Sequence, residues 1–428
     1  MIETAATPWS FTQKLVFRFF VIFFLLYIFF NPNGVLPYSD YVFNFYIQPF
    51  HNLMVWIAKN ILRLSYPVTV FTNGSGDTTY DYVVIFFITA AAVIASVVWS
   101  IADKKTKSYN RLFYWLCVII RYYVAITMFA YGFVKVFKLQ FPFLSPYQLL
   151  QPYGTSSPMG LAWNFLGFSK GYNYVMGFAE LLSGALLLFR RTTTLGAIIT
   201  IVVAGNIMAI NYCYDVPVKL LSTALVVMSL FLLAKDINRL MHFFFLNRPV
   251  DAANIVAPVF KKKWQNILTV VLKYGLILYV LISNTLQSAE AVHMYGEKAP
   301  KPPLYGIYNV QTFIRNKDTI APLKTDTARW DKLIVSYTNY SFIKFMNDST
   351  KGVAFKTDTV AKKIEVFSYS DTTKKSNFIY NFPHKDVLLL TGNLNGDSVT
   401  IEMKKYDLNN FLLINRGFHW VNEYPFNR

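Results

Sequence analysis

The chain has 428 residues, of which 54% are hydrophobic, 18% aromatic and only 15% charged, with a mean hydropathy of +0.34. That balance excludes an ordinary soluble protein of this length. The net charge of +18 does not point to a nucleic-acid partner, because most cations sit between apolar runs on alternate sides, the pattern that orients membrane proteins.

Seven segments are long and apolar enough to read as bilayer spans: 14–31, 82–102, 112–138, 172–189, 194–213, 216–234 and 266–286. The first lacks a cleavage site after its apolar core and reads as an uncleaved helix. Lys14, Arg18, Lys104, Lys105, Lys107, Arg111, Arg190, Arg191, Lys235, Arg239, Arg248 and Lys261–Lys263 then fall on one side, the cytoplasmic one. The N-terminus is expected inside and the C-terminal region outside. The outer loop 32–81 contains YIQPFHNLMVWIAKNILRL, whose spacing predicts an amphipathic helix on the outer leaflet. The aromatic, Pro/Gly-rich loop 139–170 is expected to cap the bundle.

From about residue 290 the pattern changes to short alternating segments between turns, which predicts antiparallel strands. Asn395-Gly396 between two such runs is a hairpin signal. The expected fold is a polytopic α-helical membrane protein with a C-terminal all-β domain, a small barrel or sandwich. Its expected divisions are an N-terminal hairpin with an amphipathic loop (1–111), a four-helix core (112–236), a linker with the seventh span (237–289) and the β-domain (290–428).

Glu180 is the most informative residue. A carboxylate inside a span is costly, by at least about 2.5 kcal/mol, and needs a partner or a use. It lies nine residues from the outer end of its span, ~13 Å deep. In the third span Arg121 and Lys135 share a helix face, and Gly132 beside them lets another backbone approach. Lys135 lies about 5 Å below the outer end of its own span and its long stem reaches deeper, so a pair with Glu180 is expected. Asn206 and Asn211 in the fifth span, with Asp215 and Lys219 at the start of the sixth, complete a candidate polar pocket in the outer half. Two readings stay open: a ligand site, or a brace between helices. The C-terminal string with Arg416, His419, Trp420, Glu423 and Arg428 is either a docking surface or a tail sealing the β-domain through Trp420 and Phe418. Two isolated cysteines, Cys117 and Cys213, and scattered histidines give no metal or haem signature.

The segments Tyr131-Gly132-Phe133-Val134-Lys135 and Gly177-Phe178-Ala179-Glu180-Leu181-Leu182-Ser183-Gly184 resemble the DoxX family of membrane proteins, over residues 112–236. The longer layout, ending in Arg416-Gly417-Phe418-His419-Trp420 and Glu423-Tyr424-Pro425-Phe426-Asn427-Arg428, resembles the large DoxX-like proteins of Bacteroidota. The resemblance implies a bacterial inner membrane, a periplasmic β-domain and a redox- or quinone-linked role, with a quinone or lipid-like molecule among the pocket residues. The alternative is a non-enzymatic anchor whose β-domain recruits a periplasmic or envelope protein.

Overall fold

The structure, a computed structural model, describes residues 8–31, 40–69, 76–250, 260 and 262–427. Arg428 and Lys261, together with parts of the segment 32–81, lie outside the described residues. The chain divides into two compact units, residues 1–142 with 158–297, and residues 143–157 with 298–428.

The first unit is helical. Its elements are α1 (Phe11–Phe30), α2 (Asp40–Asn60), α3 (Thr79–Ala102), α4 (Asn110–Val136), α6 (Pro158–Phe168), α7 (Lys170–Leu187), α8 (Thr193–Cys213), α9 (Lys219–Ala234), α10 (Ile237–Phe244) and α11 (Lys263–Met294). Local chemistry sets several starts. Ser10 and Gln13 form a reciprocal cap on α1, as do Thr78 and Asp81 on α3, satisfying backbone donors that a helix N-terminus leaves free. The buried Arg18 ties the start of the bundle together, donating to Tyr109 Oη at 3.0 Å, Ser100 Oγ at 2.8 Å and the Asp103 carbonyl at 2.9 Å. The apolar core runs through Phe24, Ile120, Val124, Met128, Leu187, Ala204 and Met228.

All seven segments read as spans are helical. Among the described residues, five helices are long and apolar enough to cross a bilayer: α1, α3, α4, α8 with the turn before it, and α11. The fourth expected span, α7, is not among them; its 18 residues include Lys170, Asn173 and Glu180. The sixth, α9, meets the criterion only together with α10, and the two are bent by 81°. The apolar stripe of α2 is turned against α3, with Met54, Ile57 and Ala58 buried on Val83, Val84 and Ile88. Expected on the leaflet, that stripe has a protein surface to cover it, while Leu53 and Trp56 stay exposed.

The second unit is a closed β-barrel. Its strands are β1 (Gly306–Arg315), β2 (Asp318–Thr319), β3 (Trp330–Tyr337), β4 (Tyr340–Phe345), β5 (Thr350–Asp358), β6 (Lys363–Ser368), β7 (Asp371–His384), β8 (Val387–Leu394) and β9 (Asp397–Tyr406). All neighbours are antiparallel, and β9 pairs with β1 from Ile307↔Tyr406 to Arg315↔Val399, closing eight strands with β2 as a short extension. Closure leaves no free edge to aggregate. Between the two expected forms, the barrel is the one found. Its interior is filled by Phe313, Trp330, Leu333, Phe378, Leu388 and Ile401. The β8–β9 turn holds Asn395 at φ 52° and Gly396 at φ 101°, the left-handed conformations a two-residue hairpin requires.

The loop 139–170 departs from expectation. Its middle, residues 143–157, belongs to the barrel unit, where α5 (Pro146–Leu150) lays Tyr147 on Phe342 with ring centres 3.8 Å apart. The Tyr147 amide donates to Ser336 Oγ at 3.1 Å. Proximity in sequence to the helices did not decide the side on which these aromatics pack. In the same unit, α12 (Leu412–Asn415) follows the last strand.

Candidate functional site

The site begins with glycine. Where α4 crosses α7, Gly132 faces Gly177. A Cβ on Gly132 would come within 3.0 Å of the Gly177 carbonyl, and one on Gly177 within 2.9 Å of the Gly132 carbonyl. One turn farther along α7 than Glu180, Gly184 lies so close to the Ala125 carbonyl that a Cβ would reach 2.8 Å. Small residues at these contacts let the backbones approach. Lys135 and Glu180 each follow their glycine by three residues, so both project from the same crossing.

There they meet. Lys135 Nζ is 2.7 Å from Glu180 Oε1 and 3.0 Å from Oε2, and their side chains are 5% and 1% exposed. Lys135 Nζ also lies 5.5 Å from the centre of the Tyr131 ring. A pair so fully withdrawn from water gains little net stability over an apolar equivalent, although removing one partner alone is severe.

The pair forms part of the wall of a cavity of about 320 Å³, between α4, α6, α7, α8 and α9. This is within the size range of small-molecule sites and far above the volume one water needs. Most of its lining is apolar, including Met128, Trp163, Leu166, Met176 and Leu225. The polar groups are few: Lys135, Glu180, Tyr131, Tyr172, Gln140, Asn206, Asn211 and Ser222. Asn211 Nδ2 donates to the Val218 carbonyl at 3.2 Å and Ser222 Oγ at 3.1 Å. Gln140 Oε1 is buried with no protein partner among the described residues. Val175, Val202 and Asn206 line the cavity yet are exposed, so it opens sideways between α7 and α8.

The structure therefore brings Lys135, Glu180, Asn206 and Asn211 to one cavity, with Gly132 behind them as a spacer. It does not bring Arg121, Asp215 or Lys219 there. Arg121 shares a helix with Lys135 but lies four turns away and donates to Thr193 Oγ1 at 3.2 Å. Asp215 and Lys219 pair with each other at 2.9 Å at the start of α9, with the Asp215 side chain 86% exposed. The start of α9 is capped from afar by Asp77, which accepts from the Lys219 and Leu220 amides at 2.6 and 3.0 Å. The C-terminal residues Arg416, His419, Trp420 and Glu423 are all outside any such cavity. Arg416 donates to Asn422 Oδ1 at 2.7 Å and meets the His419 ring, while Glu423 is exposed. Trp420 is 91% exposed and Phe418 77%, so neither seals the barrel.

Sequence reasoning missed Gln140 and Trp163, which sit in a loop and a short helix without a periodic signal. It also missed Glu297, which binds the buried Lys138 at 3.2 Å and Lys170 at 2.9 Å. Burial alone would push the Glu297 carboxyl up, but hydrogen bonds from Lys170 and Lys138 outweigh it and hold the group below the usual carboxylate range. Among the described residues, no three His, Cys, Asp or Glu side chains gather to hold a metal ion.

No family model matches the chain, and no solved structure matches it. The uncharacterized protein YwoB of Bacillus subtilis (strain 168) is 38% identical over 136 residues, which covers 86% of YwoB and 32% of the present chain.

Proposed function

The chain belongs to the same family as YwoB, and from that footing we propose that it is an integral inner-membrane protein, DoxX-like in its core, that holds a quinone or lipid-like molecule beside Lys135 and Glu180. In this reading α7 and the bent α9–α10 pair join the five long apolar helices as spans, the N-terminus is cytoplasmic and the barrel periplasmic. The observation that carries it is the cavity: a buried ion pair borders an apolar space with a side opening instead of being sealed between helices.

The residues fit a quinone ring. Lys135 has three N–H donors and directs two at Glu180, which leaves one for a carbonyl oxygen. Gln140 Oε1 is an acceptor in need of a donor such as a ring hydroxyl. When bound, the group supplies two-electron, two-proton redox chemistry. Glu180 is placed to hold a proton beside it, and Lys135 to hold the carboxylate when that proton leaves. The apolar walls exclude water.

The test is quinone content of the full-length protein purified in mild detergent. Wild type should carry quinone, and Glu180→Gln and Lys135→Met should reduce it about tenfold, as expected for loss of a charge-assisted hydrogen bond. Wild type devoid of quinone, with no redox-dependent change, would sink the reading.

A second reading is favoured by one observation: Phe418, Trp420 and Tyr424 are 77%, 91% and 85% exposed beyond the last strand. Here the bundle is an anchor and this segment recruits an envelope protein. Cross-linking in whole cells, with and without residues 408–428, checks it. An unchanged set of cross-linked partners removes it.

A further inference from the structure

One end of the barrel carries groups that the fold does not use. Inward-facing residues alternate along each strand. On β9 the buried row Val399, Ile401 and Met403 is continued by Lys405, an exposed cation in register with Tyr308 of β1. On β7 the buried Phe378 and Tyr380 are continued by the exposed Phe382. Gly306 brings no side chain to its place in the row of Tyr308; a Cβ there would meet Lys405 Cε at 3.1 Å. The strand ends leave an open recess of about 640 Å³, bordered by Lys301 and Tyr305 before β1, Thr359 after β5, Asp386 before β8 and Leu408 after β9. Barrel mouths are common places for small-molecule sites, and the size is in their range.

Two buried phenols reach this recess. Tyr308 and Tyr380 are 1% and 3% exposed and both line it. Among the described residues, neither hydroxyl has a hydrogen-bond partner. Burial, and then the Asp386 carboxylate, pushes the Tyr308 hydroxyl up to about 12, and burial raises that of Tyr380, so both keep their protons near neutrality. A buried hydroxyl needs a partner. Here it has to come from the recess, from water in the free protein or from a ligand oxygen that replaces it.

Each phenol has its own neighbours. Lys405 Nζ lies 6.0 Å from the Tyr308 ring centre, and the Lys405 amide donates to the Asp386 carbonyl at 2.7 Å, so a cation and a carboxylate flank Tyr308. Lys362 Nζ lies 5.5 Å from the Tyr380 ring centre, and the Phe382 ring centre 6.2 Å from it. At the rim Lys301 Nζ lies 4.7 Å from the Tyr305 ring centre. Among the described residues, none of Lys301, Lys362, Lys405 and Asp386 has an ion-pair partner; the pairs of this unit lie elsewhere. The recess thus offers cations for an anion, Asp386 for a hydroxyl donor, phenols for oxygen acceptors and ring surface for C–H groups. A simple phosphate would leave the rings unused. An aromatic or fatty acid would leave Asp386 without a donor.

We propose that the barrel mouth binds an acidic oligosaccharide, with a uronic-acid carboxylate on Lys405, sugar hydroxyls on Asp386 and the Tyr308 and Tyr380 phenols, and a neighbouring sugar ring against Phe382. The site lies wholly within the second unit. It depends neither on the membrane placement proposed above nor on what fills the cavity beside Glu180.

The experiment is equilibrium dialysis of full-length protein in mild detergent against cellobiuronate, a glucuronate β-linked to glucose, and against cellobiose, which has a hydroxymethyl group in place of the carboxylate. Wild type should bind cellobiuronate at least about tenfold more tightly than cellobiose, and Lys405→Gln should remove most of that preference. Tyr380→Phe deletes one hydroxyl and should weaken both sugars about fivefold. Lys374→Gln, near the start of β7 and so at the far end of that strand from Phe382, should change neither. Melting curves of the three variants check that each is folded. No saturable binding of cellobiuronate, equal binding of the two sugars, or a preference indifferent to Lys405→Gln in folded protein overturns the proposal. Benzoate bound as tightly as cellobiuronate overturns it in favour of an apolar acid, and inorganic phosphate bound as tightly overturns it in favour of a simple anion.

Discussion

Two buried cations on one helix have opposite surroundings. Lys135, near one end of α4, has a carboxylate at 2.7 Å. Arg121, midway along the same helix, has a hydroxyl and an aromatic ring. Both are deeply buried. The difference lies in the helix opposite: α7 brings glycine and then Glu180 to the upper crossing, but its lower end carries Arg190 and Arg191 instead of an acid. The upper layer is neutral by itself. Among the described residues, the lower layer pairs Arg121 with no carboxylate.

The widest gap between the two layers should appear in stability. Glu180→Ala strands a buried ammonium and should cost about 3–5 kcal/mol, while the double change Glu180→Ala with Lys135→Met should recover most of it. Thermal unfolding of the purified variants reads both, and a double variant as unstable as the single one would break the account of the pair. Gly177→Ala comes next. Its methyl would sit 2.9 Å from the Gly132 carbonyl and the Val136 amide, and should cost about 1–3 kcal/mol by forcing α4 and α7 apart.

Arg121→Met should behave differently from Lys135→Met. In lipid-free detergent it loses one hydrogen bond but relieves an unbalanced charge, so the net change should stay within about 1 kcal/mol. A loss as large as that from Glu180→Ala would mean that Arg121 has a strong partner after all. The smallest effect concerns Glu297. Its folded-state pKa is depressed, so its contribution is present above the ordinary carboxylate value and is lost as pH falls through the lowered folded value. At a half-exposed position this amounts to about 1 kcal/mol or less. Melting temperature against pH should therefore separate wild type from Glu297→Gln near neutrality and bring them together in acid.

Much of this was legible in the chain because it is local. Apolar runs announce helices, period-two alternation announces strands, and Asn395-Gly396 announces a turn. Even the Lys135–Glu180 contact could be reasoned out, since both residues lie within a few turns of the facing ends of consecutive apolar segments. Spacing was misleading where a side chain has a choice of neighbours. Arg121 is on the expected face of α4 yet four turns from the cavity. Asp215 and Lys219 pair with each other instead of reaching the cavity, and Asp77 caps the start of α9 from 142 residues away.

Sequence by itself determined that this protein has a helical part rich in long apolar segments, a β part of alternating strands, and a carboxylate that must find a cation. Those properties follow from residue periodicity and from the free energy of burying charge, neither of which needs a partner to be known in advance. Tertiary structure alone decided that the strands close into a filled barrel, that residues 143–157 join it, that Gln140 has an unpaired oxygen in the cavity wall among the described residues, and that Arg121 turns to the Thr193 hydroxyl. These depend on which faces meet across many residues, and that is set by close packing at a few contacts such as Gly132 on Gly177.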